Sequence, residues 1–249
     1  MAPYPSALPA RRKKRISGMA WIFLAVIIFF VVGGIVTQAI RQVGRGINAG
    51  IQRAAPRSYA GVNEFDTVEG GVTFDSIEAP GSPADKAGLV GGDIITTFDG
   101  QPVSEDDQLM DLLGNTPIGK TVDVVFIRDG ETKTTKLTTI SEGELSQLGR
   151  AFANRPEGRG RLGIDDQEQV EIPGTKLHGV RLGEVTASLP GDMAGLKSGD
   201  IVIQMGDIPI RTASELNYRI QVAIPYKPID FVIMRGSERM VIPVKMGRR

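Results

Sequence analysis

The sequence predicts an α+β, mainly β protein in which one transmembrane helix is followed by a duplicated domain. Residues 18–40 contain no charged side chain, and about 20 apolar residues are what a helix needs to cross a bilayer. A second observation is that the stretch at residues 82–93 returns at residues 189–200. Its Ala-Gly-Leu step and its Gly-Asp pair are both displaced by 107 positions. A repeat in matching contexts indicates a duplicated domain rather than an isolated turn.

The composition narrows the chemistry that this chain can perform. The 249 residues include no cysteine and one histidine, His178, which excludes disulfides, a catalytic thiol, thiolate metal sites and imidazole-rich metal sites. The formal net charge is zero, but residues 11–15 carry five positive charges, so the rest of the chain carries −5. A net-acidic remainder without a basic run argues against nucleic acid binding.

The N-terminal segments predict a single-pass membrane anchor. Residues 1–17 are a basic tail, residues 18–40 the spanning helix and residues 41–57 a juxtamembrane spacer that could also contact anionic headgroups. Cations before the span place the N-terminus in the cytoplasm and the duplicated domains outside it. A cleaved signal peptide would have an apolar core of about 7–15 residues followed by a small-residue cleavage site. The run here is longer and no Ala-x-Ala follows it, so an uncleaved anchor is favoured.

The first repeat, residues 58–140, reads as short strands around two helical segments. Ser82 and Pro83 suit the start of a helical turn, and Gly88 suits its left-handed end. Ser104 is a candidate N-cap for a second helix that ends at Gly114-Asn115. The predicted strands cover residues 60–65, 71–77, 93–98, 121–128 and 132–138, the last two joined by an Asp-Gly hairpin turn.

A linker and a second repeat complete the chain. Residues 141–160 begin with a capping box, Ser141 to Glu144, that predicts a short helix, and they end in a Gly/Arg/Pro-rich link that could be free or docked. Residues 161–249 match the first repeat element by element, with a helix at residues 213–222. Extra length near residues 172–178 predicts a protruding loop that contains His178.

The repeated pattern Ser-Pro-Ala-x-x-Ala-Gly-Leu-x-x-Gly-Asp-x-Ile, beginning at Ser82, resembles bacterial-type PDZ domains of HtrA/Deg serine proteases and site-2 proteases. The resemblance covers about two thirds of the chain. It implies that each repeat is a partly open β-barrel with two helices, and that the protein is bacterial.

The resemblance also implies a peptide groove in each repeat. A hydrophobic-Gly-hydrophobic step would form a carboxylate-binding loop, because glycine lets successive backbone N–H groups converge on one place. The strand that follows could accept an extended peptide as a further strand, and the opposite helix would close the groove. The implied binding residues are Tyr59, Ala60, Gly61, Val62, Leu109 and Leu113 in the first repeat, and Arg161, Leu162, Gly163, Ile164, Leu216 and Ile220 in the second.

The first repeat follows the family pattern more closely than the second. Leu189 replaces the capping serine, Gly191 replaces Ala84, and Arg161 stands where an aromatic residue is common in the family. The sequence therefore favours the first groove as the peptide-binding one.

No catalytic pattern accompanies these repeats. The sequence contains no Gly-x-Ser-x-Gly and no His-Glu-x-x-His, so the expectation is a non-enzyme without cofactor or metal, in which His178 is a surface loop residue. The predicted function is that of an adaptor or sensor in the bacterial inner membrane. It would bind hydrophobic C-termini or extended segments of extracytoplasmic proteins, with a protease or secretion component as a further partner. The alternative is a structural component of a secretion or envelope assembly, in which the PDZ domains make fixed protein contacts.

Overall fold

The computed structural model describes residues 57–172 and 174–249. The predicted basic tail, the spanning helix and the spacer up to residue 56 lie outside these residues. Across the described part of the chain, no helix is both long and apolar enough to cross a bilayer.

The first repeat folds around an antiparallel sheet of six strands. Its elements are β1 (Ser58–Tyr59), β2 (Val62–Val68), β3 (Gly71–Ile77), α1 (Pro83–Lys86), β4 (Ile94–Phe98), β5 (Gln101–Pro102), α2 (Asp106–Asn115), β6 (Thr121–Arg128), β7 (Glu131–Thr138) and β8 (Ile140–Ser141). The strand order is β2-β3-β4-β6-β7 with β5 beside β4, and β1 pairs separately with β8. Strand β2 therefore lies at an open edge of the sheet.

The second repeat has the corresponding strand order. Helix α3 (Glu142–Ala153) precedes it, and its own elements are β9 (Gly160–Arg161), β10 (Ile164–Asp165), β11 (Glu168–Glu171), β12 (His178–Arg181), β13 (Glu184–Val185), α4 (Pro190–Ala194), β14 (Ile201–Met205), β15 (Ile208–Pro209), α5 (Ala213–Val222), β16 (Pro228–Arg235), β17 (Glu238–Lys245) and β18 (Gly247–Arg248). The sheet order is β11-β12-β14-β16-β17 with β15 beside β14. The predicted mainly β fold with few helices is confirmed. Strands β11 and β12 pair as a hairpin on either side of the predicted extra length near residues 172–178, and His178 is exposed at the start of β12.

The stretches at residues 82–93 and 189–200, which we term the signature turns, begin with a short helix, and that of the first repeat has the predicted caps. The Ser82 hydroxyl accepts a hydrogen bond from the Asp85 amide, Pro83 is the first residue of α1, and Gly88 has a φ of 70°. In the second repeat, Leu189 provides no side-chain cap. The carboxylate of Asp192 accepts a hydrogen bond from the Ser188 amide at 2.8 Å, as the equivalent Asp85 carboxylate does from the Gly81 amide in the first repeat.

The prediction that Ser104 caps α2 is wrong by one residue. The N-cap is Glu105, which makes no side-chain capping bond. The Gln108 side chain reaches back instead, and its Oε1 accepts a hydrogen bond from the Ser104 amide at 3.1 Å. The amide of Asp106, the first residue of the helix, donates to the Thr67 hydroxyl at 3.0 Å, so a residue of β2 accepts the kind of hydrogen bond that was assigned to Ser104.

A buried aspartate-arginine pair fastens the signature turn of each repeat to its last hairpin. Asp93, which is 1% exposed, accepts hydrogen bonds from Arg128 Nε at 2.7 Å and Nη2 at 2.6 Å. Arg128 also donates to the carbonyl of Gly88 at 2.7 Å. The second repeat has the same arrangement. Arg235 donates hydrogen bonds to the Asp200 carboxylate and to the Gly195 carbonyl. Burial raises the pKa of Asp93, and the hydrogen bonds and charge of Arg128 lower it in part.

The linker is docked against both repeats. The capping box at Ser141 is present as predicted, and Leu145 of α3 is buried beside Gly61 of the first repeat. At the other end, Arg155 donates hydrogen bonds to carbonyls at the C-terminus of α5, those of Gln221, Val222 and Ala223. The positive charge of Arg155 at this position also interacts favourably with the negative end of the α5 dipole.

Helix α5 of the second repeat also packs against the first repeat, within one compact unit. The Glu215 side chain, which is fully buried, accepts a hydrogen bond from the Ile77 amide at 3.2 Å. The Thr212 hydroxyl donates to the Asp75 carbonyl at 2.5 Å. Tyr218 completes the contact, because its ring belongs to the hydrophobic core of the first repeat.

A charged pair extends this contact. Arg211 makes two hydrogen bonds to the Asp129 carboxylate, at 2.7 and 2.8 Å. Asp129 lies in the predicted Asp-Gly turn, so the hairpin turn of one repeat is bound by the residue that precedes α5 in the other. The two repeats are thus joined by polar contacts and an aromatic side chain as well as by the linker.

Replacing the arginine of a buried pair is expected to destabilise its repeat. Arg128→Ala leaves the Asp93 carboxylate without its partner, which costs about 3 kcal/mol, and Arg235→Ala is expected to act alike. The exposed Lys136→Ala, which removes an ion pair to Asp123, should cost less than about 1 kcal/mol. Urea unfolding monitored by circular dichroism measures these differences.

The loss from Arg128→Ala should also depend on pH. Without Arg128 the pKa of Asp93 rises further, so the folded state then favours the protonated carboxyl. Stability of the variant is retained at low pH and falls as the pH rises. A loss that is equal at pH 4.5 and pH 8 would contradict a buried, charged Asp93.

Glu215→Ala is expected to uncouple the repeats. It leaves the buried Ile77 amide without an acceptor and should lower the free energy of unfolding by about 2 kcal/mol. Calorimetry should show one cooperative transition for the native sequence and two for the variant. Glu184→Ala, at an exposed position, is the matched control and should leave a single transition.

Candidate functional site

The predicted carboxylate-binding loops depend on glycines that no other residue can replace. Gly163 has a φ of 84°, and a Cβ atom there would lie 2.4 Å from the Leu189 Cβ. Gly61 has a φ of 76°, and its Cβ would lie 2.5 Å from the Ser82 Cβ. Both glycines therefore permit a left-handed backbone and a close approach to the signature turn.

The signature turn holds each loop through backbone hydrogen bonds. The Ala84 amide donates to the Ala60 carbonyl at 2.9 Å, and the equivalent Gly191 amide donates to the Leu162 carbonyl at 2.8 Å. Gly191, which stands in the place of Ala84, therefore makes the same backbone hydrogen bond. The loop has the same support in both repeats.

The second repeat has an open cleft between its loop and α5. The cleft has a volume of about 690 Å³. Of the residues predicted for this groove, five line it: Arg161, Leu162, Gly163, Ile164 and Ile220. Leu216 is fully buried in the core of the repeat, on the inner face of α5.

Polar side chains that were not predicted form the rim of this cleft. Asn217 and Gln221 project from α5, one turn apart, and Thr186 and Asp165 face them from the loop side. Gln167 also lines the cleft, and its Oε1 is the one buried side-chain oxygen or nitrogen without a hydrogen-bond partner in the described residues. The helical spacing of residues 213, 217 and 221 could have revealed the α5 rim, whereas the loop residues carry no sequence signal.

The first repeat has a small apolar cavity at the predicted groove residues. Its volume is about 10 Å³, and its ten lining side chains, which include the core residues Phe98, Val124 and Leu137, are all apolar. Four of the predicted residues line it, namely Ala60, Val62, Leu109 and Leu113, while Tyr59 and Gly61 do not. Leu109 and Leu113 are 1% and 7% exposed, and their equivalents in the second repeat, Leu216 and Ile220, are 0% and 7% exposed.

The edge strands limit how much peptide can pair with them. Glu64 and Asp166, each three residues after the loop glycine, have positive φ angles of 52°. A left-handed residue turns the backbone groups out of the ladder direction. In the second repeat β10 and β11 are consequently separate strands. A peptide could therefore pair continuously only with the few residues next to the loop.

His178 lies apart from both predicted grooves. It lines a separate cleft of about 470 Å³ together with Lys176, Arg211 and Asp129. Among the residues that the structure describes, no group of three or more histidine, aspartate or glutamate side chains is placed to hold a metal ion.

Residues 61–139 match the family model of the PDZ domain. The first repeat contains a PDZ domain. The matched residues contain strands β2 to β7. They do not extend into the linker or the second repeat.

Curated relatives belong to the periplasmic serine proteases. The chain is 30% identical over 143 residues to the periplasmic serine endoprotease DegP of Salmonella typhimurium, covering 57% of this chain and 28% of the relative. It is 31% identical over 175 residues to a probable periplasmic serine protease do/HhoA-like of Haemophilus influenzae, covering 69% and 35%. The similarity to HtrA/Deg proteases is thus confirmed, but the chain spans only about a third of the length of these relatives.

The solved structures that match this chain include the HtrA3 PDZ domain bound to a phage-derived ligand. That chain is 20% identical, with a TM-score of 0.30, covering 36% of this chain and 89% of the other. A serine endoprotease from Yersinia pestis is 22% identical with a TM-score of 0.33, covering 41% and 36%.

Gly163→Ala is expected to distort the second loop. The clash with Leu189 and the positive φ together should cost about 2–3 kcal/mol, measured by thermal unfolding. Gly174→Ala is the matched control, because its φ is 78° but no atom lies within 4 Å of the added Cβ. Equal losses in the two variants would mean that the loop does not depend on the close approach.

Proposed function

We propose that this chain is a membrane-anchored, non-catalytic PDZ adaptor. It captures C-terminal or extended segments of extracytoplasmic proteins and holds them near the membrane, where a protease or secretion component can receive them. The observation that carries the proposal is the open cleft of the second repeat, which is bounded by a glycine loop, a sheet edge and a helix.

The chemistry of this cleft suits a peptide terminus. The loop around Gly163 offers backbone N–H groups to a carboxylate, and the adjoining strand edge offers further backbone groups. A few hydrogen bonds at about 1 kcal/mol each and one buried side chain at about 1.5–3 kcal/mol indicate affinities in the micromolar range. Such affinity suits transient capture rather than permanent assembly.

The proposed location is the bacterial inner membrane, with the N-terminus in the cytoplasm and both repeats outside it. The charge-free run at residues 18–40 and the cations at residues 11–15 support this orientation. Both relatives described above are named periplasmic, which supports an extracytoplasmic site for the PDZ domain.

The absence of catalysis is part of the proposal. The relatives are serine proteases, yet the regions of similarity include 28% and 35% of their length. The sequence contains neither a serine-hydrolase nor a zinc-protease motif. Purified protein that degrades an unfolded substrate, with the activity abolished by a serine-reactive inhibitor, would contradict this part.

A fixed structural role is the second candidate. The small volume of the first cavity, about 10 Å³, favours it, because a PDZ domain that does not bind a peptide in its groove can still contact a partner through its surface. In that role neither cleft would bind free peptides.

A screen of the full-length chain against immobilised C-terminal peptides tests the proposal, with C-terminal amides as controls. We expect binding that amidation weakens at least tenfold and that Asn217→Trp abolishes, since a large ring at the exposed rim fills the second cleft. Met110→Trp is the matched control at the equivalent position of α2, where Met110 is 43% exposed. Binding that is indifferent to amidation and to Asn217→Trp would favour the structural role.

A further inference from the structure

Two walls of the first groove are tied together at the end far from the loop. The Thr67 hydroxyl, on edge strand β2, donates a hydrogen bond to the Asp106 carboxylate at 3.1 Å. The oxygen of the Thr67 hydroxyl also accepts a hydrogen bond from the Asp106 amide at 3.0 Å. Because Asp106 is the first residue of α2, this pair of bonds, which we term the Thr67–Asp106 clasp, joins the strand directly to the helix.

A second tie lies at the loop end of the same groove. The buried Ser58 hydroxyl donates to the Leu113 carbonyl at 2.6 Å, near the end of α2. The helix is thus held close to strands β1 and β2 at both of its ends. The cavity beside them, which side chains of the core also line, has a volume of about 10 Å³.

The second repeat lacks the side chains that make both ties. Gln169 and Ala213 stand at the positions of Thr67 and Asp106, and an alanine side chain makes no hydrogen bond. Gly160 stands at the position of Ser58, where a Cβ would lie 2.1 Å from the Ile220 carbonyl oxygen. Gly160 and Ala213 line the cleft of about 690 Å³.

We propose that the second repeat is the resident peptide receptor and that the Thr67–Asp106 clasp holds the first groove closed. This inference rests on the proposed function and assigns its two grooves different states. Opening the first groove requires breaking two hydrogen bonds at its exposed end, where Thr67 lies in solvent. The pocket that opens is lined by apolar side chains alone, so it selects an apolar terminal side chain, whereas the second cleft has a polar rim.

The chain contains no cysteine, so single introduced thiols report on each groove without any ligand. Val62→Cys and Ile164→Cys place a thiol at equivalent, half-buried positions beside the two loops. We expect a maleimide to label the thiol at position 164 rapidly and the thiol at position 62 slowly. Thr67→Val, which removes both bonds of the clasp and keeps the side-chain volume, should accelerate labelling at position 62 by a factor of roughly 5 to 30, and leave position 164 unchanged.

Two variants control for indirect effects. Asp106→Asn retains the backbone donor and a side-chain oxygen acceptor, and should keep labelling at position 62 slow. Asp107→Ala removes an exposed charge from the same helical turn and should have no effect. Equal labelling rates at positions 62 and 164 in the native background, or no acceleration by Thr67→Val, would overturn the clasp.

Calorimetric titration with an apolar-ended C-terminal peptide separates this inference from the proposed function. We expect one site per chain in the native sequence and two in Thr67→Val. Two sites in the native sequence would overturn the clasp and leave the adaptor function standing. No binding to either protein would overturn the proposed function, while the labelling rates would still decide whether the clasp closes the first groove.

Discussion

The buried pairing of Asp93 with Arg128, repeated by Asp200 with Arg235, is the interaction on which the rest of the structure depends. A carboxylate with almost no solvent contact requires a partner, and the guanidinium meets this requirement while also binding a carbonyl of the signature turn. The turn is thereby fixed against the last hairpin. Through backbone bonds such as Ala84 to Ala60, the turn then fixes the glycine loop. The geometry of each candidate binding loop is therefore set by an ion pair that lies outside it.

Helix α5 has a different task on each of its faces. Its inner face buries Leu216 in the second core, one flank presents Asn217 to the open cleft, and the outer face binds the first repeat through Glu215 and Tyr218. Residues that touch a ligand and residues that join the repeats are thus one or two positions apart on a rigid element. A ligand that shifts α5 would act on the contact with Ile77, which pairs with Val62 of the first loop.

Features governed by local rules could be predicted from the sequence. The Asp129-Gly130 turn, the capping box at Ser141 and the left-handed Gly88 follow from the conformational preferences of a few adjacent residues, and the structure confirms them. The 107-position repeat predicted that the two repeats would match element by element.

Features that depend on contacts between residues distant in the sequence could not be predicted from it. The clasp joins residues 39 positions apart and the Ser58 tie joins residues 55 positions apart, so neither is visible in a local pattern. The sequence therefore favoured the first groove, although the second cleft is the open one. Helical periodicity predicted that Leu216 lies on the inner face of α5. Periodicity alone does not tell whether a residue on this face lines the cleft or packs in the core. The docking of Arg155 onto the end of α5 is equally long-range, and the sequence left it open.

The central claim is that the second repeat presents an open groove that recognises a peptide carboxylate. Backbone amide chemical shifts of the isotope-labelled chain, recorded while a C-terminal peptide is added, test this claim most directly. The account predicts that the largest shifts occur at residues 161–167 and 213–221, and that the amidated peptide produces much smaller ones. Shifts concentrated at residues 59–67 and 106–115, or identical shifts from the acid and the amide, would contradict it.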